Sequence, residues 1–457
     1  MSKKFDPSVL SEFARHYGFH YNLIEPSDLI GALLGEMEKG LAGQSSSLPM
    51  IPSYISPAHS ISPGKTVIAL DAGGTNLRSA RIKFDENCRP VILESRKVSM
   101  PGTNGSLGEK EFFDEIAAVT APMIESSDEK PDGLGFCFSY PMEMTKDEDG
   151  ILLAFSKEVE APHVIGKAIG RGLRAALERR KVAVPGRIVL LNDTVAALLS
   201  GTLDSVRATG NGAYSHAEKE GPVIGFILGT GVNIAYPETC IPKIDFYSHE
   251  NPQIVVCETG NFAHNYSGLL DKEFDRSTKN PGAYALEKTA AGAYLGPLAF
   301  HILRQANKDG LLDFKRADEF FSLPGLQTKD LNAFLHESIA NPVGKFFAVD
   351  EKDAMESFIY LVSIITRRGA LLSAAAVAAA VEKTGAGFDP LAPVRIAVEG
   401  STYSMFKGMR QSLESYLDIM LNRTKQRAYI INTVEQASLF GAAVVALESA
   451  ALESSSF

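Results

Sequence analysis

One sequence pattern occurs twice in this chain, and it limits the possible folds more than any other feature. The segment TVIALDAGGTNLRSARI begins at Thr66, and the segment GFILGTGVNIAYPE begins at Gly225. Each has the pattern of an apolar strand, a glycine-rich turn, an asparagine and a returning strand. Such a repeat predicts two domains of similar design that face each other across a cleft.

The order of the remaining segments agrees with this interpretation. With 457 residues, the chain has the length of two ordinary domains. After a helical start and a Ser/Pro-rich connector, strands and helices follow in the order βββαβα, and a second series begins at Val223, which predicts an α/β fold with mixed sheets. The predicted strands are 66–71, 77–84, 91–100, 133–139, 187–191, 223–228, 232–236, 253–258, 394–400 and 428–433, and the predicted helical regions are 7–42, 110–125, 164–180, 282–305, a stretch reaching 383, and the chain from Val434.

The composition of the chain argues against nucleic-acid-binding, secreted and membrane proteins. The formal net charge of -10 argues against general nucleic-acid binding, which depends on clustered Lys and Arg. The four cysteines are scattered without a Cys-x-x-Cys pair, as is typical of a reducing compartment. The N-terminal segment has no signal-like apolar region, and the Ala-rich stretch from Ala370 looks too short to span a bilayer. We therefore expect a cytoplasmic protein that binds neither nucleic acid nor membrane.

The first turn has the residue types of a phosphate site. Gly73 and Gly74 allow backbone N–H groups to approach a ligand closely. A plain β-hairpin would explain the glycines equally well. It would not explain Asp71 at the end of a buried strand or Arg78 just beyond the turn, since a carboxylate and a guanidinium there suit a hydrated Mg²⁺ and phosphates.

Two other glycine motifs fail on inspection. The tripeptide at Gly64 resembles the end of a P-loop, but His59 stands where the first glycine belongs and the motif precedes a strand. The segment GTGVNI opens like a dinucleotide fingerprint, yet Ile234 takes the third glycine position.

Asp193 has two interpretations. It follows the strand IVLL and precedes an apolar helix, so the local sequence alone favours a helix N-cap. A carboxylate at the carboxyl end of a strand in an open sheet can also accept the proton of a bound hydroxyl that attacks a phosphoryl group. Other side chains of the types that hold polyols are predicted at strand ends and loops: Ser139, Ser156, Lys157, Asn233, Glu258 and Glu287.

Eight motifs, taken in order over nearly the whole chain, resemble those of the hexokinase family, the eukaryotic-type hexokinases and glucokinases of the sugar kinase and actin-like superfamily. They are SSSLPMIPSYIS, ALDAGGTNLR, LGFCFSYP, LLAFSK, LLNDTVAALLSG, ILGTGVNIAY, NPGAYALEKTAAGAYLG and VEGSTY. The resemblance implies two actin-like (ribonuclease H-like) domains around a deep cleft. It implies a small domain of residues 62–197 plus 440–457 and a large domain of 1–61 plus 198–439.

The resemblance also implies an activity: ATP- and Mg²⁺-dependent phosphorylation of a hexose, most readily glucose, at its 6-hydroxyl, by a monomer or homodimer. Asp193 then corresponds to the general base and Lys157 to the cation that stabilises the transferring phosphoryl group. The implied sugar-binding residues are Ser139, Ser156, Lys157, Asn192, Asp193, Asn233, Glu258 and Glu287. The implied nucleotide residues are Asp71, Gly73, Gly74, Thr75, Asn76, Arg78, Gly229, Thr230, Gly400 and Ser401, with Asp71 holding Mg²⁺ through water.

The chain departs from the family pattern at four places. Ser156 replaces Thr, Thr259 follows Glu258, Glu399 replaces Asp, and EQASLFGAA lacks the expected glycines near the C-terminus. These changes leave the catalytic residues in place and bear instead on nucleotide affinity, sugar preference and domain closure. A catalytically weak sugar sensor of hexokinase type is a second hypothesis, which the presence of Asp193, Lys157 and the glycine turns disfavours. An actin-like ATPase that forms filaments is a third hypothesis, which the sugar-side motifs disfavour.

Overall fold

The described part of the chain forms two mixed sheets with helices packed against them. This computed structural model describes residues 4–59, 61–127, 129–155, 159–203, 206–208, 214–216, 221–244, 252–337 and 339–454. The strands are β1 (Ile51–Pro52), β2 (Thr66–Gly73), β3 (Asn76–Phe84), β4 (Pro90–Ser99), β5 (Leu134–Phe138), β6 (Met142–Met144), β7 (Gly150–Leu152), β8 (Ile188–Leu191), β9 (Val206–Ala208), β10 (Tyr214–His216), β11 (Val223–Leu228), β12 (Val232–Glu238), β13 (Gln253–Val256), β14 (Val394–Glu399) and β15 (Tyr429–Thr433).

Helices account for most of the rest. They are α1 (Pro7–His16), α2 (Pro26–Leu41), α3 (Glu109–Glu125), α4 (Ile169–Arg179), α5 (Asp193–Thr202), α6 (Leu269–Ser277), α7 (Ala285–Ala290), α8 (Gly292–Lys308), α9 (Ala317–Phe321), α10 (Thr328–His336), α11 (Lys352–Lys383), α12 (Ser401–Met405), α13 (Met409–Leu417) and α14 (Ala437–Ser454). Short 3₁₀ segments cover Tyr21–Leu23, Pro162–Val164, Thr259–Asn261 and Gly344–Phe346, and a π-helix covers Asp418–Thr424.

The two sheets repeat one topology. The first has the strand order β4-β3-β2-β5-β8, and the second has the order β1-β13-β12-β11-β14-β15. In each sheet the leading strand, β2 or β11, pairs antiparallel with the next strand and parallel with a later one. The predicted α/β class with two similar halves is therefore confirmed.

The leading strands lie at the centre of their sheets because their residues are apolar in an almost unbroken run. The first five residues of β2 and all five residues of β5 are buried. Central strands covered on both faces have such continuous apolar sequences. Their carboxyl ends, where the polar residues begin, point to the same edge of each sheet, which is where ligands bind in open α/β folds.

Each half contributes a helix to the other half. Helix α5 follows β8 of the first sheet but packs against β11, β12 and β14 of the second. Helix α14 follows β15 of the second sheet but packs against β2, β5 and β8 of the first, and α5 and α14 also pack against each other. Buried residues of both sheets and both helices form one continuous apolar core that joins the halves.

Glycines allow these exchanged helices to approach closely. A β-carbon on Gly135 of β5 would overlap the carbonyl oxygen of Ala442 in α14, and one on Gly225 of β11 would overlap that of Thr194 in α5. Where the helices cross, a β-carbon on Gly441 would overlap the backbone of Ala196. In both halves, a glycine in the sheet thus allows the exchanged helix to pack in close contact with the strand.

The predicted helical stretch over about 282–305 is helical from Ala285, but it consists of two helices that separate at Ala291. Ala291 has an extended backbone, with φ -90° and ψ 157°. Because of this interruption, the first backbone N–H groups of α8 are not bonded within a continuous helix. Gly292 N–H donates to the Gly229 carbonyl at 2.8 Å, and Ala293 N–H donates to the Thr230 carbonyl at 3.0 Å. The break therefore fastens α8 to the second glycine turn.

Three smaller features differ from the sequence predictions. The hairpin of β6 and β7 was not predicted, and α4 begins at Ile169 instead of near 164. The described residues of the Ser/Pro-rich connector form no helix, and they contribute the short strand β1, which pairs with β13. The division into domains at 62–197 plus 440–457 and 1–61 plus 198–439 stays a prediction.

Helix α11 contains the Ala-rich stretch from Ala370. Of the described helices it is the one long and apolar enough to cross a bilayer by length and composition. However, 94% of its most apolar 18-residue window is buried inside the structure, where it packs against α2, α7 and α13. Core helices have this character.

Candidate active site

A cleft of about 910 Å³ lies at the carboxyl ends of both sheets and is lined by residues of both halves. Most of the residues singled out in the sequence line it. They are Asp71, Gly73, Gly74, Thr75, Asn76, Ser139, Asn192, Asp193, Gly229, Thr230, Asn233, Glu258, Glu287, Gly400 and Ser401. Arg78 lies beside the lining residues, and Ser156 and Lys157 are outside the described residues.

The first glycine turn leaves space on its cleft side. Gly74 has φ +64°, and its carbonyl accepts a hydrogen bond of 2.7 Å from the Tyr140 hydroxyl. A β-carbon on Gly73 would meet the oxygens of Asp71 and Ser139 at 3.6 Å, which is ordinary contact. The backbone at this turn is therefore open to a ligand, and left-handed geometry at Gly74 costs little because glycine has no side chain.

A row of charged side chains crosses the first sheet next to this turn. Asp71 in β2 lies directly opposite Arg78 in β3, which lies opposite Lys97 in β4. Directly opposite residues share one face of a sheet. Burial raises the pKa of Asp71 to about 6, although the charges of Arg78 and Lys97 and a hydrogen bond from Ser438 of α14 counteract part of this rise.

Lys97 and Ser438 were missed in the sequence. Lys97 belongs to no recognisable motif, and only the register of β3 with β4 brings it beside Asp71. Ser438 is at the start of α14 and reaches Asp71 because that helix packs on the first sheet. Pairing of the predicted strands could have identified the lysine, but nothing local could have identified the serine.

The N-cap of α5 is Asn192, so the expectation from local sequence that Asp193 caps this helix is wrong. The Asn192 side-chain oxygen accepts a hydrogen bond of 2.7 Å from Thr194 N–H, which is the usual capping bond. Asp193 is the first helical residue, where its carboxylate accepts a 3.2 Å hydrogen bond from the Thr194 hydroxyl. The cap therefore falls one residue earlier, and the Asp193 carboxylate lines the cleft.

Asn233 and Glu258 form a fixed pair on the opposite side of the cleft. The Asn233 amide donates to the Glu258 carboxylate at 3.0 Å. Its oxygen accepts from Ile234 N–H at 2.8 Å and from Thr259 N–H at 3.2 Å. Glu258 itself has a left-handed backbone, with φ 56° and ψ 49°, which is unfavourable for a residue with a side chain and is concentrated at functional sites.

Glu287 completes this side of the cleft. It lies in the first turn of α7, and its carboxylate packs against the second glycine turn, where a β-carbon on Gly231 would come within 2.7 Å of Oε2. Gly260, next to Glu258, also lies against Glu287. The two glutamates, predicted from separate loops of the sequence, are thus held against one turn.

Carboxylates from both halves crowd around Asp193. Burial, together with the negative charges of Asp193 and Glu287, raises the pKa of Glu258 to about 7, although the hydrogen bond from Asn233 counteracts part of this rise. Burial likewise raises the pKa of Glu399, at the end of β14, to about 7, with additional contributions from Asp193 and Asp71. Such mutual repulsion favours a site that takes up a cation.

The arrangement suits a metal that arrives with its ligand. Within the described ranges, no group of three or more His, Cys, Asp or Glu side chains could hold a metal ion by itself. Mg²⁺ in phosphate-transfer sites is held by one or two carboxylates plus substrate phosphates and water. Asp71 and Glu399 fit this role because each is partly buried, lines the cleft and is close enough to Asp193 for its pKa to respond.

The second glycine turn is closed on its protein side. The Gly229 carbonyl accepts hydrogen bonds from Gly292 N–H at 2.8 Å and from the Thr402 hydroxyl at 2.7 Å. Gly400 and Ser401 lie against Gly229, at 3.5 and 3.8 Å from the position that a β-carbon there would take. Beyond this turn, a shallower hollow of about 570 Å³ lies between the start of α8 and the start of α10, lined in part by Gly292, Ala293, Thr328 and Lys329.

The sequence of the chain is similar to the sequences of known hexokinases. Two sequence models of the family described as hexokinase match residues 18–203 and 223–448. Hexokinase-7 of Oryza sativa subsp. japonica is 29% identical over 443 residues and 91% of each chain. Hexokinase-1 of Arabidopsis thaliana is 30% identical over 444 residues, which are 91% of this chain and 86% of that protein.

Among solved structures, a hexokinase from Schistosoma mansoni complexed with glucose has the same fold. It matches 98% of this chain and all of its own with a TM-score of 0.73 at 23% sequence identity. The two family models together cover both sheets and nearly every residue of the cleft. The chain therefore belongs to the hexokinase family, the enzymes that phosphorylate hexoses with ATP.

Proposed function

We propose that this chain transfers the γ-phosphoryl group of ATP to the 6-hydroxyl of glucose, with Asp193 as the general base. The observation that carries the proposal is the meeting of two unlike sets of groups in one cleft. One set consists of the acceptors Asn233, Glu258 and Glu287, and the other consists of the two glycine turns. A hexose presents hydroxyls and ATP presents phosphates, so each set suits one substrate.

The sugar is held by side chains of fixed position. Glu258 is oriented by Asn233, and Glu287 is oriented by its packing against Gly231, so both carboxylates can accept hydrogen bonds from hydroxyls. The Ser139 hydroxyl and the Asn192 amide group add donors from the other half. Ser156 and Lys157 join them on the strength of the family resemblance.

The chemical step needs one proton acceptor beside the 6-hydroxyl. The Asp193 carboxylate takes this proton as the oxygen forms a bond to the γ-phosphorus, and the bond from that phosphorus to the bridging oxygen of ADP breaks. The position of Asp193 in the first turn of α5 supports the role, because the helix N-terminus stabilises the charged carboxylate before the proton arrives. By resemblance, Lys157 stabilises the charge on the transferring group.

The phosphates are held between the two turns. Backbone N–H groups at Gly73–Asn76 and at Thr230 donate to them, and Arg78 supports the first turn. Gly229 lines the site between them, with its own N–H donating to the Gly231 carbonyl at 3.0 Å. Gly400 and Ser401, with the hollow beyond them, accommodate the adenosine. Asp71 would hold Mg²⁺ through water with Glu399 nearby, and the metal would neutralise charge on the phosphates.

The two halves act as lobes. We assign residues 62–197 plus 440–457 to a small domain that closes on the hexose against 1–61 plus 198–439. The packing of α14 on β2, β5 and β8 supports the inclusion of the C-terminal helix in the small domain. We further propose a cytoplasmic enzyme that is a monomer or homodimer; light scattering of the purified protein distinguishes these two states.

The decisive experiment is a coupled ADP-release assay with glucose, mannose and fructose, and with ³¹P NMR to locate the phosphate on the product. We expect glucose 6-phosphate from the wild type. Asp193→Asn should lower kcat by about 10²- to 10⁴-fold, the usual contribution of a general base. The exposed carboxylate Asp350, which pairs with Lys315, supplies the matched control Asp350→Asn with unchanged kcat.

Two outcomes would contradict the proposal. If Asp193→Asn or Asp193→Ala turns over at close to the wild-type rate with saturating substrates, another group is the base. If the wild type binds glucose in calorimetry but releases no ADP, the chain is a sugar sensor. Sugar-independent ATP hydrolysis with sedimentable polymers would instead identify a filament-forming ATPase.

A further inference from the structure

Tyr284 is an exposed aromatic residue in an otherwise polar part of the cleft. Of the two tyrosines that line the cleft in the described chain, Tyr140 is buried, whereas Tyr284 is 38% exposed. Tyr284 directly precedes α7, three residues before Glu287. It therefore stands next to a proposed sugar-binding carboxylate, within the motif NPGAYALEKTAAGAYLG, but it is not among the sugar-binding residues that the family resemblance implies.

The backbone of Tyr284 is strained. Its φ of 57° and ψ of 44° are left-handed, a conformation that costs a residue with a bulky side chain about 1–3 kcal/mol. Such strain persists where the surrounding structure imposes it, and it is frequent at ligand-binding sites. Glu258 across the same site has nearly the same backbone angles. Of the nine described residues other than glycine that have a positive φ, Tyr284 and Glu258 are the two that line the cleft.

The loop that carries Tyr284 is held firmly. Lys288, which is only 4% exposed, donates its backbone N–H to the Tyr284 carbonyl at 2.9 Å. Its ammonium group binds the carboxylate of Asp275 and the carbonyl of Asn280. Asn280 and Tyr284 are the two ends of this short loop, and Lys288 holds the first through its ammonium group and the second through its backbone N–H. The Tyr284 ring is presented on a rigid support.

Tyr284 and Glu287 also lie beside the same residue of α8. Burial raises the pKa of the partly buried Tyr294, and the charges of Glu287 and Tyr284 raise it further. Both side chains are therefore near Tyr294. The hydroxyl acceptors at this end of the cleft are Glu258, Glu287 and Asn233, whereas Tyr284 is the exposed aromatic surface among the described lining residues.

We propose that the Tyr284 ring packs against the C–H face of the bound sugar and makes the site prefer six-membered-ring hexoses. This inference rests on the proposed function. Carboxylates and amides satisfy the hydroxyls of a sugar, but its C–H groups gain from contact with an apolar surface, which an aromatic ring provides with little loss of side-chain freedom. A pyranose offers a broader C–H face than a furanose, so glucose and mannose should gain more from this contact than fructose.

The test compares three substitutions at this position. Tyr284→Phe keeps the ring, Tyr284→Ala removes it, and Tyr284→Asn removes it while retaining a residue that tolerates left-handed geometry. We expect Tyr284→Ala and Tyr284→Asn to raise the glucose KM about tenfold, the effect of losing an aromatic contact, and to lower the glucose-to-fructose ratio of kcat/KM. Tyr284→Phe should stay near the wild-type KM, and the ATP KM should be unchanged throughout.

A binding measurement separates this inference from the activity. The chain has no tryptophan, so Tyr284→Trp introduces a single tryptophan at the proposed contact, whose emission can be excited selectively over that of the tyrosines. Glucose added without nucleotide should change its emission, whereas Phe388→Trp, at an exposed residue outside the cleft lining, should not respond.

Two results would overturn the inference. One is an unchanged glucose KM and glucose-to-fructose ratio in both Tyr284→Ala and Tyr284→Asn. The other is an unresponsive Tyr284→Trp protein that still binds glucose in calorimetry. Absence of phosphorylation of every hexose by the wild type would instead refute the proposed function, and the fluorescence titration would still test the contact.

Discussion

The turn between β2 and β3 and the turn between β11 and β12 occupy equivalent places in the two sheets but have different surroundings. At the first, a β-carbon on Gly73 would find ordinary contacts, and Asn76 is exposed. At the second, Glu287 packs against Gly231, and Asn233 uses both ends of its amide within the protein. The first turn is open to a ligand, whereas the second is exposed at Thr230 but packs against the Glu287 carboxylate at Gly231.

This difference shows how a repeated element can serve two substrates. Both turns keep glycine, yet for different reasons: the first to let phosphates approach, the second to let a glutamate side chain approach. Both keep asparagine, but only Asn233 has buried hydrogen-bond partners. Equivalent substitutions in the two turns should therefore have unequal effects.

We expect the largest difference between the two turns when the asparagine of each, Asn76 or Asn233, is replaced by alanine. Asn233→Ala removes the Glu258 contact and leaves the N–H groups of Ile234 and Thr259 without their side-chain acceptor, at a cost of about 1–3 kcal/mol per buried group. We expect kcat/KM for glucose to fall about 100-fold or more and the urea midpoint to drop. In the matched control, Asn76→Ala, stability should change by less than about 0.5 kcal/mol, as is usual at exposed sites. Equal losses of stability in Asn233→Ala and Asn76→Ala would refute the different roles assigned to the two asparagines.

The exchanged helices allow a test of the symmetry between the halves. Gly135→Ala and Gly225→Ala each force a methyl group into the backbone of the helix donated by the other half, so each should lower the free energy of unfolding by about 1–3 kcal/mol. Gly35→Ala in α2 is the control, since nothing lies within 4 Å of the added carbon and alanine favours a helix. Denaturant titration measures all three. A neutral result at only one of Gly135 and Gly225 would show that the two interfaces are not equivalent.

The glycines of the two turns provide a third comparison. Gly231→Ala places a methyl group 2.7 Å from the Glu287 carboxylate and should displace it, which raises the glucose KM about tenfold, equivalent to about 1.4 kcal/mol. Gly73→Ala has room in the ligand-free protein, so its effect should fall on the ATP KM. Steady-state kinetics with each substrate varied in turn distinguish the two patterns, and a reversed assignment would be inconsistent with the roles proposed for the turns.

The smallest expected effect is the dependence of the free energy of unfolding on pH. The raised pKa values of Glu258 and Glu399, each about 7, mean that the folded protein binds their protons more tightly than the unfolded chain does. Their contribution to stability is complete below the unfolded pKa and is lost as pH rises through 7. The buried His264, whose pKa burial lowers to about 4, acts in the opposite direction, but only below about pH 6.5.

Between pH 6.5 and 8 the carboxyl groups therefore dominate. We expect the free energy of unfolding of the ligand-free protein to fall by about 1 kcal/mol over this interval. Glu399→Gln should reduce the slope, and Asp350→Asn should leave it unchanged. A slope that is identical in wild type and Glu399→Gln would contradict the raised pKa of Glu399.

The repeated pattern of strand, turn and strand was sufficient to predict two similar sheets, because periodicity and glycine placement are local properties. Most members of the cleft could be predicted for the same reason: residues at the carboxyl ends of predicted strands meet at one edge. The family resemblance then grouped Glu258 with Glu287, which lie in different loops of the sequence.

Other features depend on contacts between distant segments. Whether Asn192 or Asp193 caps α5 is decided by a backbone angle, and both residue types are good caps. The break at Ala291 exists because α8 bonds to a turn some sixty residues earlier, as the Gly292 to Gly229 contact shows. The left-handed backbone of Tyr284 has no sequence signal at all, since the residue itself disfavours it.

The exchange of α5 and α14 also has a consequence for biosynthesis. One face of the first sheet is covered by α14, which begins at Ala437, long after β8 of that sheet ends at Leu191. At about 5–20 residues per second, the first half must wait on the order of ten seconds or longer with apolar strands uncovered. Exposed apolar strands are prone to aggregation, and the first half completes its folding only after α14 has been translated.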